Sequence, residues 1–108
     1  MTNPDVRKLI DEAYKLTGKF QPGECCTAGS VGAALLTKAG HIYTGVSVDC
    51  SCGIGFCAEH SAVAEMLKHH ESEISLLVAV NYKKELLPPC GRCRELIFQV
   101  NRLIRTRR

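Results

Sequence analysis

Ile42-Tyr43-Thr44-Gly45-Val46-Ser47-Val48 reads as one strand and Leu76-Leu77-Val78-Ala79-Val80-Asn81-Tyr82 as another. Between them Ala58, Ala62, Val63, Met66 and Leu67 recur at helical spacing, which predicts a helix from Cys57 to about His70 with Met66 and Leu67 in the core. Strand, crossover helix, strand implies at least one parallel pair and an α/β class. Working outward, Val31–Thr37 reads as a buried strand, and the turn signal Lys38-Ala39-Gly40-His41 joins it to the 42–48 strand as a hairpin. Residues 19–30 read as a linker and 49–56 as a loop rich in Cys, Ser and Gly. Asn3-Pro4 opens a first helix over roughly 4–17, and 91–100 forms a last one after Pro88-Pro89. The expected order is α-β-β-α-β-α, a mixed sheet with helices on both faces.

The chain has 108 residues, the size of one domain, and shows neither a repeat nor an internal boundary. It reads as a single domain over 1–108, with a core at about 5–100 and a basic tail at 101–108. At 45% hydrophobic and 23% charged it is neither disordered nor fibrous. No apolar run approaches the ~20 residues needed to span a bilayer, and no secretion signal is visible at the N-terminus. The net charge of +3 comes from the tail: without Arg102, Arg105, Arg107 and Arg108 the remainder carries −1. A near-neutral body argues against a nucleic-acid partner. Seven cysteines, an odd number, without a signal peptide point to reduced thiols and a cytoplasmic location.

Two segments carry the chemistry, Cys57-Ala58-Glu59 and Pro89-Cys90-Gly91-Arg92-Cys93. Each begins a helix, where unbonded N–H groups and the helix dipole favour thiolate over thiol. Cys90 and Cys93 can grip one ion from a single turn, and Cys57 supplies a third sulfur. Soft thiolates in this number point to zinc. Three protein ligands leave a fourth position open, the pattern of catalytic zinc, and Glu59 can face that position without binding the metal. A carboxylate there can move protons between an activated water and a substrate nitrogen. Two bland alternatives stand beside this: structural cysteines in a core, or a closed zinc knot completed by Cys50 or Cys52. Cys25 and Cys26 read as small packed residues, and Tyr43 and Phe56 as either core or base-stacking groups.

Cys-Ala-Glu followed about thirty residues later by Pro-Cys-x-x-Cys resembles the zinc-dependent cytidine deaminase superfamily. Val31–Leu36, Ile42–Val46 and Cys90–Leu96 extend the resemblance. It implies a three-layer α/β/α domain that hydrolyses cytidine or deoxycytidine to the uridine product and ammonia, as in pyrimidine salvage. It also implies zinc on Cys57, Cys90 and Cys93, Glu59 as the proton carrier, and backbone near Ala58 holding the base. The short three-cysteine members it resembles are homotetramers. Where nucleoside-specific members hold the ribose with Asn and Glu, this sequence has Ser47 and Asp49. The blasticidin-S deaminases it also resembles likewise lack the full nucleoside pattern at these places, which makes an aminoacylated cytosine nucleoside the alternative substrate. Arg often follows Cys-Ala-Glu in cysteine-rich members. Here His60 stands there, so His60 or Arg94 is expected to support the thiolates. The C-terminal part is shorter than in the family. With the altered sugar positions, this also admits a zinc-stabilised module without turnover.

Overall fold

The computed structural model describes residues 4–50, 55–88 and 91–100. The elements run α1 Pro4–Lys15, β1 Phe20–Gly23, β2 Cys26–Thr37, β3 Ile42–Cys50, α2 Ala58–Lys68, β4 Ile74–Asn81 and α3 Gly91–Val100. β2 is the centre of the sheet. β3 pairs along one of its edges from Cys26 to Leu36. β1 and β4 share the other edge, β1 beside Cys26–Ala28 and β4 beside Val31–Thr37.

β2 carries apolar residues at successive positions because both of its faces are covered. Ala33 and Leu35 face α2 and α3, in a core with Ala58, Ala62, Val63, Met66 and Ile97. Ala34 faces α1, in a second core with Leu9, Ala13 and Val80. The three-layer α/β/α architecture therefore follows from the run Ala33-Ala34-Leu35-Leu36, which leaves no side of the strand for water.

Four expectations need correction. The segment 19–30 is not a linker: β1 forms within it, and β2 begins at Cys26, five residues before Val31. A register shift between Ala28 and Gly32 interrupts the alternation there, which hid the early half of the strand. Every hydrogen-bonded strand pair among the described residues is antiparallel. β3 and β4 do run in the same direction, as the crossover helix requires, but β2 lies between them. Leu67 is 43% exposed rather than core, one step round the helix from buried Met66. Cys25 is exposed and does not pack as an apolar residue.

α2 lies unusually close to β3. A Cβ on Gly45 would strike Ser61 Cβ and the backbone nitrogen of Ala62. Only glycine permits that approach, so Gly45→Ala should force the helix outward and cost about 1–3 kcal/mol, read as a lower urea midpoint. At the far end of the same helix, the Glu71 carboxylate accepts a hydrogen bond from the Tyr43 hydroxyl and lies 2.8 Å from His41 Nδ1. Tyr43 also stacks on His69 at 5.2 Å, so its ring serves packing there and does not line the cavity described below.

The hydrogen bond to Glu71, followed by burial, pushes the Tyr43 hydroxyl up from 10.0 to about 12. The same bond first, then that from Thr37, holds the Glu71 carboxyl below its ordinary value. A raised tyrosine stabilises the fold below pH 10.0, and that contribution is lost as pH rises through about 12. The lowered Glu71 stabilises above its unfolded value of 4.5 and loses its effect as pH falls through the folded one. In a spectrophotometric titration one of the three tyrosines should ionise late, near 12, and Glu71→Gln should return it toward 10.0.

Candidate metal centre and cavity

The start of α2 and the start of α3 converge. Cys57 is the N-cap of α2, with extended φ −77 and ψ 159 and no side-chain capping bond. Its sulfur is thereby left to face the neighbouring helix. Glu59, two residues on, is only 6% exposed, and Cys93 on the first turn of α3 is fully buried. The ligating atoms of Cys57, Glu59 and Cys93 all lie within 4.8 Å of one another. Cys93 Sγ is 3.8 Å from Glu59 Oε1 and 3.3 Å from His60 Nδ1. Cys90, the third expected sulfur, lies outside the described residues, as does Cys52. In sequence Cys90 directly precedes α3.

The electrostatics of this cluster are set by burial and by two helix ends. Loss of water pushes the Glu59 carboxyl up, against its own backbone hydrogen bond and the Cys93 thiol, which pull it down. Burial, and then the positive charge of Arg92, holds His60 below its usual value. A neutral His60 keeps one ring N–H to offer a sulfur. Two thiols and a carboxylate, all turned to one point at helix N-termini, are a donor set suited to a soft, tetrahedral divalent cation. Zinc fits this set, with Cys57 and Cys93 as sulfur donors.

Glu59 also lines a cavity of about 370 Å³. That is within the roughly 300–1,000 Å³ usual for small-molecule sites. β3 contributes one wall with Ser47, Val48, Asp49 and Cys50, and Gly55–Ala58 contribute the entry to α2. Ser47 is buried, and its hydroxyl oxygen accepts a bond from the Val31 N–H at 3.1 Å. Asp49 lies exposed at the mouth. Ala58 is fully buried beside Glu59. The structure thus gathers Ser47, Asp49, Ala58 and Glu59 around one space, with Cys57 in its lining.

Arg94 is exposed on α3. Arg92, two residues earlier, is the arginine that lines the cavity, and its guanidinium donates to the Gly55 carbonyl at 3.3 Å. Sequence reasoning passed over Arg92 as a spacer inside Cys-x-x-Cys. Helical rotation supplies the missing signal, since neighbours on a first turn point about 100° apart. Leu87 and Pro88 form a further wall that the sequence did not suggest. They are held there by the Leu87 N–H donating to the Ala79 carbonyl at 2.9 Å.

Cys93→Ser should abolish tight zinc binding, measured by metal analysis of purified protein. His60→Ala should weaken zinc affinity by about 10–100-fold while leaving the chain folded.

Residues 4–106 match the family model for the cytidine and deoxycytidylate deaminase zinc-binding region. A probable cytidine deaminase of Dictyostelium discoideum is 40% identical over 98 residues, covering 88% of this chain and 65% of that protein. A blasticidin-S deaminase of Bacillus cereus is 36% identical over 76 residues, covering 62% of this chain and 54% of its own length. Among solved structures, cytidine deaminase from Mycobacterium tuberculosis superposes with a TM-score of 0.75 at 28% identity, over 90% of this chain and 78% of that one. The converging helix starts, the sulfur–carboxylate cluster and the family match agree: the chain belongs to the cytidine and deoxycytidylate deaminase family and carries its zinc-binding region.

Proposed function

We propose that this chain is a zinc-dependent hydrolase that removes the exocyclic amine of a free cytosine nucleoside, cytidine or deoxycytidine. The observation that carries the reading is the Glu59 carboxylate, buried in the lining of a nucleoside-sized cavity and 3.8 Å from the Cys93 sulfur. Cys57, Cys93 and, from the sequence, Cys90 are the residues that would hold zinc. When bound, zinc supplies a Lewis acid that brings the ionisation of water from 15.7 toward roughly neutral pH.

Glu59 takes the proton released as water oxygen attacks ring carbon 4. It passes that proton to ring N3, then takes a second proton from the new C4 hydroxyl as the C4 carbonyl forms and gives it to the departing amine. The C4–N bond breaks, a C4–O bond forms, and ammonia leaves. A carboxyl raised by burial suits this work, because its affinity for a proton lies nearer to the water and the ring nitrogen it serves. His60 steadies the Cys93 sulfur. The backbone beside Ala58 holds the base edge, while Ser47 and Asp49 face the sugar. A single arginine on the described cavity wall, opposed by Asp49, favours a small neutral substrate over a polynucleotide.

The 36% identity to a blasticidin-S deaminase supports a second substrate, an aminoacylated cytosine nucleoside. Ser47 and Asp49 are compatible with it, since both side chains are short and Asp49 lies open at the mouth. A zinc-stabilised module without turnover is the third reading. We infer further a homotetramer, a cytoplasmic setting and a role in pyrimidine salvage, on the resemblance to short three-cysteine deaminases. No helix of the described residues is long and apolar enough to cross a membrane.

Ultraviolet absorbance with cytidine, deoxycytidine and blasticidin S separates the readings, and turnover of either plain nucleoside is the expected result. Glu59→Gln should lower kcat by at least about 10²–10⁴-fold while retaining zinc. Equal behaviour of wild type and variant on all three compounds favours the module.

A further inference from the structure

A second pair of cysteines, outside the Cys57–Glu59–Cys93 cluster, stands opposite in the β2–β3 ladder, and one of the two, Cys50, lines the cavity. Cys26 on β2 and Cys50 on β3 are direct cross-strand partners, in a register continuous through Thr27↔Asp49 and Ala28↔Val48. Val48 spends both of its backbone groups on Phe56. Its N–H donates to the Phe56 carbonyl at 2.9 Å, and its carbonyl accepts from the Phe56 N–H at 2.8 Å. In an antiparallel strand both groups of one residue point to the same side. Val48 therefore turns its backbone away from β2, and Ala28↔Val48 is a non-hydrogen-bonded pair. Pair types alternate along the ladder, so Cys26↔Cys50, two steps on, is non-hydrogen-bonded as well.

That pair type is the close one. Its Cα atoms approach to about 4.5 Å, inside the roughly 4.4–6.8 Å span of disulfides, and its side chains share one face of the sheet. Both cysteines carry thiols and are half-buried, within reach of a small reagent. Cys50 lines the cavity next to Asp49.

We propose that Cys26 and Cys50 form a reversible cross-strand dithiol, oxidised to a disulfide by low-molecular-weight disulfides, which fastens the cavity rim. One thiolate attacks the small disulfide, forming a mixed disulfide and releasing one small thiol. The second thiolate attacks the protein sulfur of that mixed disulfide, forming the Sγ–Sγ bond and releasing the second small thiol. The two protein thiols are oxidised and the small disulfide is reduced. The new bond closes the β2–β3 hairpin covalently, which restricts the unfolded chain and holds the strand ends together.

The test incubates zinc-loaded protein with glutathione disulfide, followed by thiol counting and non-reducing peptide mapping. The expected result is loss of two thiols per chain, a peptide joining Cys26 to Cys50, a higher Tm, and reversal by reductant. Cys25→Ser should leave the linkage intact, and Cys26→Ser should remove it. An unchanged thiol count, a Cys25–Cys26 linkage, or glutathione retained on Cys50 would overturn the proposal. None of these readouts depends on catalytic activity.

Discussion

The contact between α2 and β3 at Gly45 is the constraint on which the site rests. With no side chain at that position, the helix backbone lies almost directly on the strand. Helix start and strand end are thereby fixed relative to each other. Cys57 and Glu59 come from the helix start, and Ser47 and Asp49 from the strand end. A bulkier residue at 45 would move two halves of one cavity apart.

A second device works against stability. Glu59 is a carboxylate held away from water, and burial is the leading cause of its raised proton affinity. Buried charge is costly unless it is paired or metal-linked. Two helix N-termini offset part of that cost by presenting positive dipole ends to the same point. They serve the sulfurs too, since thiolate is the form that binds a cation. Concentrating these groups in a chain of 108 residues spends part of a small core on chemistry. The apolar layers on either side of β2 make that placement tolerable.

The rim shows how a regular ladder carries information beyond pairing. A hydrogen-bonded pair between Val48 and Phe56 fixes which way Val48 faces, and so fixes the character of every pair down to Cys26↔Cys50. The same bridge holds Phe56 against β3, at the cavity wall. Arg92 braces the adjoining Gly55 through its carbonyl.

Local pattern was enough to determine the helices α1, α2 and α3, the β2–β3 hairpin, the two-faced burial of the centre strand and the motif Cys57-Ala58-Glu59 with Cys90-Gly91-Arg92-Cys93. These depend on periodicity and on residue chemistry, which the chain carries at short range. Tertiary structure decided what depends on distant contacts. It made a strand of Phe20–Gly23, because β2 offered an open edge there. It placed β4 against β2 instead of β3, because the other edge of β2 was still unpaired along Val31–Thr37. It brought Arg92, Leu87 and Pro88 to the cavity. It also set Cys26 opposite Cys50, a juxtaposition of residues 24 positions apart that only strand register can create.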